Sequence, residues 1–296
     1  MVTEATNDGP QQGLLSDFRI VHFSGADAAA FLQGYVTCDT TKLSPTLASA
    51  GAFCDLRGRV VANGWLWGAA EAVSLLVHAS CCEPLIGFLT PYLNFSRTKA
   101  NITSAPVAAA IDATDPPFAN PVALPWGRAI SGQETADTQT ELDTQWMHRA
   151  LTHREIWVES SVSGNYLPQM LGLVDLGAID FAKGCYLGQE VVARAEHRGK
   201  VKRQLTCARF VAESAPVIGM GLLDMRAAEP VKDIGIIVGV AASDAPADGT
   251  RTGLVAFVGK SQPANGEYRL RAADSSPNQL TDSAAADRPK IELDLY

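Results

Sequence analysis

Lys183-Gly184-Cys185-Tyr186-Leu187-Gly188-Gln189-Glu190 is the stretch on which the reading of this chain turns. One cysteine stands between a lysine and a run of helix-compatible residues, Gln189 to Ala195. Leu187, Val191 and Ala195 fall at i, i+4 and i+8, which predicts an apolar stripe on one helix face. Glu190 and Arg194 are spaced for an i, i+4 ion pair on another face. Gly199 is the expected stop. Cys185 is then expected just before the helix or in its first turn. Unpaired N–H groups at a helix start, with Lys183 two residues away, favour a thiolate. By residue type alone Cys185 equally suits a small buried residue in a tight turn. Gly184 and Gly188 allow close backbone approach. A basic run, Arg194, Arg198, Lys200, Lys202 and Arg203, follows at once. It suits a solvated helix end, a seat for an anionic tail, or a partner's acidic surface.

Outward from this stretch, further segments carry a family resemblance. Lys183 to Glu190, followed by Arg194, His197-Arg198-Gly199 and Lys202-Arg203, resembles the signature of the YgfZ family of folate-binding proteins. Tyr166-Leu167-Pro168-Gln169 resembles the stretch upstream of that signature. Ser24 to Ala28 and Phe31 to Asp39 resemble the family's opening motif, and Asp55-Leu56-Arg57-Gly58-Arg59-Val60 its next strand pair. In the related aminomethyltransferase branch, an acid stands where this chain has Cys185 and a base where it has Gln189. The comparison favours the YgfZ branch. One departure is Leu151-Thr152-His153-Arg154, where the family often has Glu/Ala-Ala-Gly. A carboxylate for the N–H edge of a pterin is missing there.

The resemblance implies an α+β fold of three domains, aminomethyltransferase-like, around a central folate cavity. Residues 1–48 and 144–200 would form a discontinuous folate-binding domain. Residues 49–143 would form an inserted α/β, ferredoxin-like module, and 201–296 a C-terminal β-barrel. It further implies a protein that binds tetrahydrofolate or a one-carbon derivative. Such a protein would support iron–sulfur cluster assembly or repair in client enzymes and, indirectly, tRNA methylthiolation. A folate-dependent aminomethyl- or methyltransferase is the alternative, and a scaffold with a decayed pocket is a third. Cys185, with Lys183, would be the functional thiol. Phe18, Trp146, Tyr186, Gly188, Gln189, Glu190, Arg194, Arg198, Lys202 and Arg203 would hold the folate. Phe18 and Trp146 could sandwich its ring, although both residue types equally suit a core.

Composition sets the bounds. At 296 residues the chain is long enough for two or three domains, and 47% hydrophobic and 19% charged residues are ordinary for a globular protein. The apolar stretch around Val60 to Ser80 is broken by Asn63, Gly64, Gly68 and Glu71, which argues against a membrane span. The beginning of the chain (Glu4, Asn7, Asp8) lacks a signal-peptide pattern, so a cytoplasmic location is expected. A net charge of −8 argues against a dedicated nucleic-acid binder. The six cysteines form no C-x-x-C motif, and neither they nor the five histidines show metal-ligand spacing. Free thiols, no metal and a monomer are the expectation.

Along the chain, Ser24 and Asp27 resemble a capping box for a helix over 26–33. Residues 49–68 predict a hairpin, 71–78 a strand, 83–92 a helix, and 98–104 and 107–112 strands. The polar stretch 131–143 reads as a linker. Strands are expected at 205–211, 234–241, 253–258, 266–271 and 291–296, with a mobile loop over 272–288.

Overall fold

The hairpin expected at 49–68 is the seed of a five-stranded antiparallel sheet. Strands β3 (Ser49–Cys54) and β4 (Val60–Ala69) form it, and β5 (Ala72–His78) follows on β4. Most of β3 and β4 is buried on both faces, as for strands covered from two sides. The computed structural model describes residues 11–116, 118, 120–131, 141–199, 201–224, 232–242, 250–260, 263–272 and 288–296. The acidic start of the chain, most of the expected linker at 131–143 and most of the expected loop at 272–288 lie outside the described residues.

The sheet is completed by β2 (Phe18–Ser24) and β6 (Lys99–Ile102), in the order β3-β4-β5-β2-β6. Helices α1 (Ala28–Gln33) and α2 (Cys82–Leu93) follow β2 and β5. Apart from the added β3, this is the β-α-β-β-α-β order of a ferredoxin-like unit. It corrects a boundary at residue 48. Strand β2, inside the 1–48 segment, pairs along its whole length with β5, so the unit starts before residue 48. No strand was expected at 18–24, because its pairing partner, residues 72–78, lies outside any local window. The helix cap is corrected too. Ser24 ends β2, and Asp27 is the N-cap without a side-chain capping bond. The Asp27 carboxylate instead accepts from Thr98 Oγ1 at 3.0 Å and Arg97 N at 3.3 Å, tying the helix entry to the chain leading into β6.

A four-stranded sheet, β1-β7-β9-β8, joins the beginning of the chain to the middle. It comprises β1 (Gln11–Leu15), β7 (Val107–Ile111), β8 (Pro121–Leu124) and β9 (Arg128–Ser131). Helix α3 (Asp143–Thr152) is anchored to it. The Asp143 carboxylate accepts from Ser16 N at 2.8 Å and Asp17 N at 3.0 Å. The other side of α3 packs on the last unit, where Gly239 leaves room for Leu151. That unit is a closed six-stranded barrel, β10-β13-β12-β11-β14-β15. Its strands are β10 (Gln204–Ala212), β11 (Gly221–Asp224), β12 (Lys232–Ala242), β13 (Arg251–Gly259), β14 (Gly266–Arg271) and β15 (Lys290–Leu295). Closure leaves no sheet edge unpaired. Among the described residues, no helix is long and apolar enough to cross a membrane.

Between α3 and the signature, regular structure gives way to an extended segment. Buried Asn63 holds it: its Nδ2 donates to Ile156 O at 2.7 Å and its Oδ1 accepts from Val158 N at 2.8 Å. A buried amide with both ends satisfied fixes a backbone path sharply. It thereby fixes His153, Arg154 and Glu155 just upstream.

Candidate functional site

The signature folds as an irregular loop that runs into α4 (Gln189–Arg198). Gly188 is the N-cap, in the left-handed region at φ 82°, and a Cβ there would stand 2.3 Å from Asp55 O. Only glycine fits both conditions. Of the two positions expected for Cys185, the loop has the one ahead of the helix. Its side chain is exposed, and the other five cysteines are buried. Lys183 does not present its charge to the surface. Its Nζ donates to the carbonyls of Gln33, Val36 and Cys38 at 2.9, 2.6 and 2.9 Å. Burial pulls its pKa down to about 8, while the three carbonyl acceptors require all three ammonium protons. The same ammonium lies 5.2 Å from the Tyr186 ring centroid. The Tyr186 hydroxyl is buried with no hydrogen-bond partner, and burial pushes its pKa up. Gln189 Oε1 accepts from Tyr186 N at 3.2 Å, which closes the turn into the helix.

Helix α4 carries the expected Glu190–Arg194 pair at 2.6 Å on an exposed face. The expected apolar stripe is corrected. The fully buried position is Val192, whereas Val191 and Ala195 are half-buried and Leu187 precedes the helix. Val191 and Val192 both pack against the loop at 55–59. There a Cβ on Gly58 would lie 3.0 Å from Val191 Cβ and 3.3 Å from Val192 Cγ2. Gly199 ends the helix in an extended conformation, without the left-handed cap. Arg198, Lys202 and Arg203 are exposed along the exit from α4. Lys200 lies outside the described residues.

Phe18 and Trp146 form no ring sandwich. Both are 0% exposed. They meet edge to face at 6.4 Å, and Phe18 packs at 4.8 Å on Trp157 and 5.6 Å on His78. The gap a pterin would enter is filled by protein. Arg128 lies over Trp146 at 4.6 Å and over Trp126 at 5.0 Å. It is fully buried and ion-paired with buried Glu155, which also accepts from Trp65 Nε1 at 2.7 Å. A lone aromatic in sequence carries no sign of which side of a sheet it will fill.

A cavity of about 550 Å³ opens elsewhere, beside the far half of α4. That is an ordinary size for a small-ligand site. Trp126, His153 and Arg154 form one part of its wall, Gln169 and Asp175 another, and Ala195, Glu196, Gly199 and Val201 a third. Trp126 and His153 are stacked, with centroids 4.5 Å apart and planes 4° from parallel. Burial, with Arg149 and Arg128 adding to it, pushes the His153 pKa down, so its imidazole is neutral near pH 7. Trp126 and Arg154 adopt left-handed backbone at φ 61° and 59°. Such conformations cost non-glycine residues about 1–3 kcal/mol each and tend to collect at functional sites. Arg154 donates to Leu205 O at 3.0 Å, pinning this wall to the barrel's first strand. The amide of Gln169 donates to Val192 O at 2.9 Å and Glu196 Oε2 at 3.3 Å, and its Oε1 is left without a partner. Two carboxylates, Asp175 and Glu196, reach the cavity from segments other than Thr152-His153-Arg154.

Of the residues singled out from sequence, Lys183, Cys185, Tyr186, Gly188, Gln189, Glu190 and Arg194 share the signature loop and the first half of α4. The cavity adjoins the second half, toward Arg198, Lys202 and Arg203. Trp126 was not singled out by sequence. The signal was Pro125-Trp126-Gly127, a large aromatic in a tight turn whose two positive-φ positions suit Asn-Gly.

No family model matches the chain. It is 28% identical over 216 residues to the tRNA-modifying protein YgfZ of Vibrio atlanticus, covering 64% of this chain and 67% of that one. It is 29% identical over 225 residues to that of Colwellia psychrerythraea, covering 65% and 69%. It is 27% identical over 242 residues to that of Yersinia enterocolitica, covering 70% and 73%. Among solved structures, the glycine cleavage system aminomethyltransferase T from Bartonella henselae superposes with a TM-score of 0.57 at 11% identity, over 96% of this chain and 84% of that one. At that identity the likeness concerns the fold.

Proposed function

From a chain that groups with the YgfZ family on an aminomethyltransferase-like fold, we propose a tetrahydrofolate-binding accessory protein that acts in tRNA modification. Its relatives carry tRNA modification in their name. The observation that carries the reading is the cavity along α4, the helix that the Lys183–Glu190 signature opens. Three features of its wall suit a reduced folate. Trp126 and His153 offer flat faces, Asp175 and Glu196 offer acceptors for an amino and N–H edge, and Gln169 Oε1 lacks a donor. Bound tetrahydrofolate would supply a one-carbon carrier. Lys183 and Gly188 would hold the signature loop against α1 and the 55–59 loop, and so hold α4 as a wall.

Cys185 is not among the residues that line the cavity. As an exposed thiol on the loop ahead of α4, it would act on an iron–sulfur client enzyme at the surface. The tRNA effect would then be indirect. Calorimetric titration of the full chain with tetrahydrofolate, beside its 5-formyl and 5,10-methylene forms, tests the reading. Saturable one-to-one binding of at least one form is expected. Absence of binding by all three would sink it.

A further inference from the structure

Helix α2 has no charged side. Its positions Cys82, Leu85 and Leu89 are buried and belong to the core under the five-stranded sheet. A second set, Pro84, Gly87, Phe88, Pro91, Tyr92 and Phe95, recurs at i, i+3, i+4, i+7, i+8 and i+11 and therefore runs along a different side. Pro84, Gly87, Pro91 and Phe95 are exposed, Phe95 at 94%, and Phe88 and Tyr92 are half-buried. No charged residue stands between Glu83 and Arg97. A surface helix ordinarily carries charge away from the core, and one that is apolar all round is covered all round.

Helix α1 continues this face. No charged residue stands between Asp27 and Asp39. Phe31 meets Tyr35 at 4.8 Å, Tyr35 meets Tyr92 at 4.7 Å, and Tyr92 meets Phe88 at 6.4 Å, so the rings form one band across both helices. A surface patch rich in Phe and Tyr and free of charge has the composition of a protein interface centre.

We propose that this face joins two copies of the chain, with α2 of one copy lying antiparallel on α2 of the other. The inference is independent of the folate reading and departs from the monomer expected from sequence. Three observations select a second copy. Each copy carries a net charge of −8, so two copies repel over much of their surface, and an uncharged face is where they can meet. Glu83 stands at the start of α2, and Arg97, whose side chain is 76% exposed, stands just past its end. A two-fold antiparallel pairing sets the Glu83 end of each copy against the Arg97 end of the other, whereas a parallel one sets like charges together. Gly87 lies mid-helix, where glycine weakens the helix, yet a Cβ there would meet nothing within 4 Å. Packing within one chain does not require the missing side chain. A helix crossing at Gly87 does, because it lets two backbones approach while Phe88 and Pro91 pack beside the crossing. A nucleic acid or an anionic membrane would call for cations on the face instead.

Sedimentation equilibrium of the full chain over a wide range of protein concentration tests the pairing. A reversible monomer–dimer equilibrium is expected. Gly87→Glu should keep the fold, checked by urea unfolding, because its side chain enters open space. It places like charges across the two-fold and should weaken dimerisation by about tenfold or more. Gly87→Lys should do the same, and an equimolar mixture of the two variants should recover a mixed dimer. A chain that is monomeric at every concentration would overturn the proposal. So would a dimer that Gly87→Glu leaves as tight as before, or two Gly87 variants that stay apart when mixed. A monomer that binds phosphatidylcholine vesicles would assign the face to a lipid surface and overturn the pairing equally.

Discussion

Cys185 differs from the other cysteines in exposure. Burial raises Cys38, Cys82 and Cys207 to about 11 and Cys54 and Cys81 to about 12, so these five are protonated and shielded near neutrality. Limited alkylation at pH 7.5 followed by peptide mapping should therefore label Cys185 first. Labelling of any other cysteine at a comparable rate would contradict the arrangement. Cys185→Ser should keep the fold, because the side chain is exposed, and fail to restore iron–sulfur enzyme activity in cells lacking the protein. Full rescue would end the functional-thiol reading. Trp146 belongs to the same scale with the opposite expectation. As a fully buried residue, its replacement by Ala should cost about 3–5 kcal/mol of stability in urea unfolding. A cost under 1 kcal/mol would show that the indole does not fill the core.

At the scale of elements, the α1 exit is where the opening motif and the signature meet. Lys183 satisfies three carbonyls there, those of Gln33, Val36 and Cys38. Lys183→Met would leave them without donors at about 1–3 kcal/mol each. A drop of about 3 kcal/mol or more is expected by urea unfolding, and wild-type stability would refute the staple. Asp39 holds the same exit. The Thr41 hydroxyl, then Thr41 N, Gln33 and Lys42, outweigh burial and bring its pKa down to about 2. An unfolded Asp titrates near 3.9. The folded value is depressed, so this stabilisation is present above about pH 4 and lost as pH falls toward 2. Asp39→Asn should flatten that part of the stability–pH curve, measured by urea midpoints at pH 5 and 2.5. An unchanged slope would show that other carboxylates govern it.

For the whole molecule, Glu155 is the tie between the two sheets. It accepts from Trp65 of β4 and pairs with Arg128 of β9, and both charges are buried. Removing one partner from a buried pair leaves an uncompensated charge, at a cost of about 3–5 kcal/mol. Arg128→Met alone should cost that much and loosen Trp126, which lies against the guanidinium. Adding Glu155→Gln should recover part of the loss. Strictly additive costs in a double-mutant cycle would mean that the pair does not couple the sheets.

Local sequence determined much of this. The 49–68 hairpin, the strand at 71–78, the helices at 83–92 and 189–198 and most barrel strands depend on periodicity, turn residues and i, i+4 pairs, all of which a short window contains. The signature itself, with Gly188 where no Cβ fits, was legible for the same reason. What lay beyond a window was decided by tertiary structure. Strand β2 belongs to the five-stranded sheet because it pairs with β5. Phe18 and Trp146 became core because Trp157, His78 and Arg128 converge on them. The cavity draws Trp126, His153, Asp175 and Glu196 from separate segments, and only folding brings them together. A sequence fixes what each residue can do chemically, while burial and neighbours from distant segments select which of those capacities remains available.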